Sequence, residues 1–272
     1  MRPQRDDIAA PPLPGRLRWL NVERKPTLAE LVASGPLLVH FFDFAQLNSV
    51  RALPYVVEWV RRYSDLGLAT IGVHTPRFAF TTERAVLAPA IEVLAIAHPV
   101  IDDSDFHVWR DYGCQGWPSL FLWAKGGALR WFHFGEGEYL GTEEAIQAEL
   151  RELEPLAALP EPLEPLRPSD APGALVGAPS AEVFPGGSAS EPWSGGPFEL
   201  PYEGAGAHAS VAGAGELRVA LDGGEPRAVP VDRPGLFDLA VHERHERHEL
   251  VVEPSAGVAL YSVSFSAGLP TG

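Results

Sequence analysis

Cysteine is nearly absent from this sequence. Of 272 residues only Cys114 carries a thiol. One cysteine cannot form a disulfide within the chain, wherever it lies in the fold. A reaction that cycles electrons through two thiols of the same chain is therefore excluded.

Positive charge is scarce as well. Lys and Arg together number 21 against 36 Asp and Glu, which gives a formal net charge of −15 and a pI of about 5.0. Nucleic acids, polyphosphates and anionic membranes all require a cationic protein surface. We therefore expect no nucleic-acid partner, and no motif in the sequence predicts a cofactor.

Long apolar runs are missing too. No stretch approaches the roughly 20 apolar residues of a membrane-spanning helix. Residues 1–20 contain charges and prolines where a signal peptide has an apolar core. We therefore expect no membrane span and a cytoplasmic location.

The composition is that of a globular protein, with 46 % hydrophobic and 21 % charged residues. Residues 37–42 (LLVHFF) form an apolar run of strand length, and residues 49–63 have helical spacing with a kink expected at Pro54. The other expected elements of the first half are a strand at 68–74, a helix at 81–96 broken near Pro89, a strand at 98–103, a short helix at 104–113, a hairpin at 119–134 and a helix at 141–153. Strands that alternate with helices predict a mixed α/β sheet.

The second half has a different pattern. Prolines are dense from residue 154 to residue 189, which predicts a semi-rigid linker. Residues 190–270 contain short alternating segments separated by Gly, Pro and Asp, which is typical of an antiparallel β-sandwich. We expect four parts: an arm (1–36), an α/β domain (37–153), the linker (154–189) and the sandwich (190–270).

Two segments, FFDFAQLNSVRALPY (41–55) and YGCQGWPSLFLW (112–123), resemble thioredoxin-like proteins of the TlpA and DipZ type. The resemblance implies a thioredoxin-like α/β fold, followed by a small all-β sandwich that is jelly-roll-like and similar to carbohydrate-binding domains. It places Gln46 and Ser49 at the two sulfur positions of the family's CxxC motif. It also implies that Pro118 is the cis-proline beside the active site.

The departures from the family concern its redox chemistry. The family uses a thiolate at a helix N-terminus and a second cysteine to resolve the mixed disulfide. Gln46 and Ser49 can do neither, and His40 stands where thioredoxins have a buried aspartate. The pattern indicates a redox site that has been lost or has acquired another role.

The polar residues of this turn, Asp43, Gln46, Asn48 and Ser49, are candidates for a ligand site. The alternative is that Asn and Ser only cap the helix. Ser49 and His40 also resemble a nucleophile and its base, although no orienting acid accompanies them.

The resemblance implies a peptide-binding groove lined by Trp117, Pro118 and the loop at 135–139, which includes Glu136. Such a groove needs no sulfur and binds an extended segment through its backbone. The alternative is that Trp117 covers the space of the absent disulfide.

Three further features have competing interpretations. Cys114 is either a reactive thiol near the active site or a buried small hydrophobe. His242, His245 and His248 are either metal ligands or part of a polar turn between strands. Three aromatics of the second half, Trp193, Phe198 and Tyr202, are either a sugar site or core residues.

The sequence therefore predicts a thioredoxin-like protein without dithiol chemistry, which binds a protein segment or small ligand at the former active site. Carbohydrate is a second possible ligand, at the sandwich. The alternative is a single-thiol oxidoreductase or peroxidase that uses Cys114.

Overall fold

In the computed structural model, which describes residues 5–193 and 195–271, the first half of the chain alternates strands and helices as predicted. Its elements are β1 (Arg5–Ala9), β2 (Arg18–Leu20), α1 (Leu28–Leu31), β3 (Leu37–Phe42), α2 (Leu47–Tyr63), β4 (Ala69–His74), α3 (Arg84–Val93), β5 (Val100–Asp102), α4 (His107–Asp111), β6 (Ser119–Trp123), β7 (Ala128–Phe134) and α5 (Tyr139–Leu153). The second half is all β, with β8 (Phe198–Gly213), β9 (Gly215–Leu221), β10 (Arg227–Val231), β11 (Gly235–Pro254) and β12 (Val258–Ser266).

Contacts divide the chain into two units that do not follow its linear order. The first unit contains the residues up to Asp43 together with Asn48–Pro76 and Ile91–Glu164. The second contains Phe44–Leu47, Arg77–Ala90 and the residues from Pro165 onward. The four-part division expected from the sequence stays a prediction, since each unit gathers residues from separate stretches.

The first unit is built on a seven-stranded sheet in the order β1-β7-β6-β3-β4-β5-β2. The strands β3, β4 and β5 run parallel, and β6 pairs antiparallel with both β3 and β7. All six residues of β3 are buried because both faces of the sheet are covered. Phe41 packs in the core on one face, whereas Leu38 packs on the other face with Trp59 of α2.

One helix differs from its prediction. The expected break near Pro89 is wrong, because α3 runs without interruption from Arg84 to Val93 with Pro89 inside it. Proline removes one i→i−4 hydrogen bond, but the Ala and Leu residues around it favour the helix. Pro54 likewise lies within α2, as expected. No helix among the described residues is both long and apolar enough to cross a membrane.

The second unit contains the predicted all-β domain, a five-stranded antiparallel sheet in the order β10-β9-β11-β8-β12. Its long strands β8 and β11 change register between Val241 and Glu246. The halves on either side of this shift share one hydrophobic core, with Tyr202 from one half and Ala209 from the other. Two layers that face a common core form a small sandwich, as predicted.

The proline-rich segment is partly packed. Leu159 and Leu163 lie against the core of the first unit. Val183 pairs with Val263 of β12 and packs on the core of the second unit. Leu175, in contrast, is 83 % exposed, so only part of this segment gains stability from packing.

A buried polar network fastens the beginning of this segment to α2 and α5. Glu143 of α5 is 1 % exposed and accepts hydrogen bonds from the Tyr63 hydroxyl at 2.6 Å and the Leu163 N–H at 2.9 Å. Arg62 forms an ion pair with the same carboxylate at 2.6 Å. Gln147 adds a hydrogen bond to the Tyr63 hydroxyl at 2.8 Å. The carboxylate therefore joins two helices and the chain that follows them.

Replacing Glu143 by alanine should lower the free energy of unfolding by about 3 kcal/mol, because the nearly buried Arg62 charge loses its partner. Urea denaturation followed by tryptophan fluorescence checks this. The matched control is Glu144→Ala, at the exposed next position, which should change stability by less than about 0.5 kcal/mol. Equal effects of the two substitutions would contradict a fastening role for Glu143.

Three histidines are buried in the first unit, namely His40, His74 and His98. His40 on β3 is 0 % exposed and stacks on Phe42 with 5.3 Å between ring centroids, and His98 before β5 is 5 % exposed. Neither ring has a hydrogen-bond partner among the described residues. Burial lowers the pKa of His40 to about 3 and that of His98 to about 4, from an ordinary value of 6.5. Both rings are therefore neutral in the folded protein at pH 7.

The free energy of unfolding should fall as the pH drops from about 6.5 towards 4. In that range the unfolded chain binds protons at these histidines and the folded chain does not, at up to about 1.4 kcal/mol per pH unit for each group. His40→Leu should make the slope shallower in urea titrations at several pH values. Leu38→Ala, on the same strand, should lower stability equally at every pH. An unchanged slope in His40→Leu would refute the assignment.

Candidate functional site

The turn after β3 is closed by a serine at a predicted sulfur position. The backbone N–H of Asp43 donates a hydrogen bond to the Ser49 hydroxyl oxygen, 3.2 Å away. Ser49 lies in the first turn of α2, so this bond joins the end of the strand to the start of the helix. Both residues are fully buried. Such side chains position the turn and do not meet a ligand directly.

The possible nucleophile–base pair is not assembled. The hydroxyl oxygen of Ser49 accepts a hydrogen bond from the Asp43 N–H. The ring nitrogens of His40 have no hydrogen-bond partner in the described part of the chain. A neutral imidazole stacked on Phe42 acts as a core residue. The site therefore lacks the hydrogen bond through which a base activates a hydroxyl.

Gln46 belongs to the second unit, with the rest of the stretch 44–47. Its exposed fraction is 9 %. Beside it, the Ala45 carbonyl accepts a hydrogen bond from the Ser210 hydroxyl of β8 at 2.8 Å. The Phe44 ring lies 6.1 Å from the Phe80 ring, centroid to centroid. The residues predicted to form one site are thus divided between the two units.

The peptide bond between Trp117 and Pro118 is cis, as predicted. Pro118 is buried, whereas Trp117 is half-buried. The Trp117 indole N–H donates to the Thr75 carbonyl at 2.8 Å, and its ring stacks on Trp109 with 4.3 Å between centroids. Trp117 is therefore held in a defined orientation and still offers part of its surface.

Asp103, which supports these aromatics, was not singled out in the sequence. Its carboxylate accepts hydrogen bonds from the backbone N–H groups of His107, Val108 and Trp109 at 2.8, 3.0 and 2.9 Å. Burial raises the pKa of this carboxyl, against the lowering effect of these bonds. An aspartate directly after a strand and just before a short helix is a capping signal that could have been recognised.

Asn48 and Glu136 are the other partly exposed members of the predicted set. Glu136 forms an ion pair with Arg51 of α2, at 2.6 Å between Arg51 Nε and Glu136 Oε1. This contact holds the loop after β7 against the helix that follows the turn. The loop and the helix start therefore keep a fixed separation in the first unit.

Cys114 is half-buried and packs on the core of the first unit. Burial raises the pKa of its thiol to about 12 from 9.0, and the negative charge of Asp103 adds to this, although a hydrogen bond with Ser119 opposes it. At neutral pH the sulfur is therefore a thiol and not the nucleophilic thiolate.

The histidine triplet lies inside β11, so the expected turn between strands is wrong. The rings of His242 and His248 stack at 3.9 Å, and His242 Nε2 lies 2.7 Å from the Tyr202 hydroxyl oxygen. His245 packs instead against Gly177. Stacked rings cannot both direct a nitrogen at one ion, and no group of three His, Cys, Asp or Glu side chains suited to a metal occurs in the described ranges.

The aromatics considered for a sugar site have core roles. Tyr202 is 2 % exposed and stacks on Phe265 with 4.8 Å between ring centroids. Trp193 and Phe198 pack against the same core. Tyr202 is therefore a core residue, and Trp193 and Phe198 are partly buried against the same core.

Comparisons with known proteins bear on the first half of the chain. Protein DipZ of Mycobacterium bovis is 35 % identical over 166 residues, which cover 61 % of this chain and 24 % of DipZ. Thiol-disulfide oxidoreductase YkuV of Bacillus subtilis is 28 % identical over 144 residues, which cover 53 % of this chain and 95 % of YkuV. A solved thioredoxin-like protein in the oxidized form matches with a TM-score of 0.49 and 26 % identity, over 56 % of this chain and 98 % of its own. No family model matches.

These matches have a limited reach. The chain spans about a quarter of the length of DipZ, so the activity of that whole protein does not carry over. The assignment rests on sequence similarity and on the element order of the first unit. On that basis the first half of the chain has a thioredoxin-like fold and is similar in sequence to DipZ and YkuV, and an all-β domain accompanies it.

Proposed function

We propose that the protein is a binding module that has kept the thioredoxin-like fold without dithiol–disulfide chemistry. It holds a protein segment or a small ligand beside Trp117 and Pro118. The observation that carries the proposal is the single thiol of the chain. Glutamine and serine occupy the two positions where the resemblance to the family places sulfur.

The exposure of the predicted residues suggests how they share this role. Asn48, Trp117 and Glu136 are partly exposed and are proposed to contact the ligand. The buried members Asp43, Ser49 and Pro118 are proposed to fix the backbone around them, and Gln46 belongs to the covered stretch discussed below. Carbohydrate is not part of the proposal, because Tyr202 is a core residue and Trp193 and Phe198 pack against that core.

The competing function is a single-thiol oxidoreductase or peroxidase that uses Cys114. Its first step is attack by a thiolate. A pKa of about 12 leaves very little thiolate at neutral pH. The geometry therefore favours binding over thiol chemistry.

The cytoplasmic location expected in the sequence analysis remains a proposal. Cell fractionation of the native protein with a specific antibody tests it.

The purified protein should not reduce insulin in the presence of dithiothreitol above the background rate. Native Cys114 should react with iodoacetamide at pH 7.5 at least about 100-fold more slowly than in the urea-unfolded chain, because burial keeps the sulfur protonated. Mass spectrometry of the alkylated protein checks this. Rapid sulfenic acid formation at Cys114 on exposure to peroxide would instead support the enzyme.

Trp117→Ala should weaken ligand binding at least tenfold, because the indole next to Pro118 is partly exposed and tryptophan is frequently a dominant contact in binding sites. The probe is a positional-scanning library of fluorescent decapeptides, read by anisotropy. Trp193→Ala, in the second unit, is the control and should bind as the native protein does. Circular dichroism confirms that both variants fold. No decapeptide binding to the native protein, or equal binding to both variants, would refute a peptide groove at Trp117.

A further inference from the structure

Within the second unit, the stretch 44–47 is in contact with the β-sheet. We propose that β8 and β12 act as a built-in ligand of this stretch, one that an external protein segment must displace to reach it. This inference rests on the proposed binding function and names its partner class. The external ligand is an extended segment with a serine or threonine hydroxyl beside an aromatic ring.

The polar part of the contact is a short chain of hydroxyl groups. The Ser210 hydroxyl donates to the Ala45 carbonyl at 2.8 Å, and the Ser262 hydroxyl donates to the Ser210 oxygen at 3.1 Å. Both serines are 0 % exposed. A buried carbonyl that lost this donor would be costly, so any segment that replaces β8 here must bring a donor of its own.

The apolar part of the contact is aromatic. Phe44 is 2 % exposed and lies 6.1 Å from Phe80, centroid to centroid. Phe80 in turn lies 4.7 Å from the ring of Tyr261 on β12. The sheet thus contributes the Ser210 hydroxyl at Ala45 and the Tyr261 ring, which reaches Phe44 through Phe80. A competing segment must supply a hydroxyl donor and an aromatic ring in place of these two groups.

The sheet face that carries these serines is suited to reversible contact. Its buried polar side chains are His208, Ser210, Ser262, Ser264 and Ser266, and the buried Tyr261 ring of β12 lies against Phe80. The opposite face of the same strands carries the alanines, valines and phenylalanine of the core. The serine hydroxyls bury little apolar area, so apart from Tyr261 this face adds little hydrophobic stabilisation to the contact. Contacts with little apolar burial open more readily than a hydrophobic core does.

A reporter thiol in the full-length chain tests whether β8 and β12 cover residues 44–47, and the test needs no external ligand. Gln46→Cys is combined with Cys114→Ser, so that the chain again has a single thiol, and the reaction of this reporter thiol with Ellman's reagent is timed. We expect a rate at least about tenfold below that of the urea-unfolded chain. Adding Ser210→Ala should raise the rate of the folded protein about tenfold, and Ser262→Ala should raise it by less.

Ser264→Ala is the matched control. Ser264 lies on the same face and is 7 % exposed, but its hydroxyl has no partner among the described residues. Its loss should leave the rate of the reporter thiol unchanged. Circular dichroism identifies any variant that fails to fold, and Ser262→Ala then replaces Ser210→Ala as the deciding comparison.

The inference is overturned if the reporter thiol reacts as fast in the folded parent as in the unfolded chain. It is equally overturned if the deciding variant and Ser264→Ala react alike. Because these rates involve no peptide, a failure of decapeptide binding leaves them interpretable and bears on the proposed function alone. Tighter decapeptide binding to Ser210→Ala than to the native protein would support both.

Discussion

A hydrogen bond from the Asp43 N–H to the Ser49 hydroxyl oxygen ties together the two ends of the turn that follows β3. It joins a fully buried strand to the first turn of α2 and so fixes the place where the family has its redox sulfur. A hydroxyl in this position accepts a hydrogen bond from the backbone and needs no reactive partner. Nearby contacts, such as the hydrogen bond from the Trp117 indole N–H to the Thr75 carbonyl, likewise need no thiol.

Without a thiol in this turn, the surrounding residues do not have to support redox chemistry. A redox thiol at a helix start must be deprotonated and must be reached by a disulfide. Here the remaining thiol of Cys114 has a pKa of about 12, and a neutral His40 stands at the position where the family has an aspartate. Neither group is arranged to move protons at pH 7, and both pack with apolar neighbours. On the binding function proposed above, this end of the sheet therefore acts through contact and shape.

Elements determined by residues close together in the sequence could be predicted, whereas contacts between residues far apart in the sequence could not. The run LLVHFF, the helical spacing after Ser49 and the glycines of the β6–β7 hairpin act within a few residues, so these elements were predictable. The contacts of Glu143 with Tyr63 and Leu163, and the stacking of His242 on His248, join residues that only the folded chain brings together. No spacing rule places a carboxylate against a hydroxyl 80 residues away. The same holds for residues 44–47, which are grouped with the second unit and whose Ala45 carbonyl accepts a hydrogen bond from Ser210, 165 residues away.

The absence of a thiol at positions 46 and 49 bears on why residues 44–47 can be covered by other residues of the second unit. A catalytic thiol has to stay open to its substrate, so a segment that covered it would abolish function. A backbone carbonyl such as that of Ala45 carries no such requirement, and a buried one is more stable with a donor than without. The Ser210 hydroxyl donates to that carbonyl, and Gln46 and Ser49, at the positions where the family resemblance places sulfur, carry no thiol that such a contact would block. The covered turn is therefore the arrangement that a thioredoxin-like scaffold without dithiol chemistry is free to adopt.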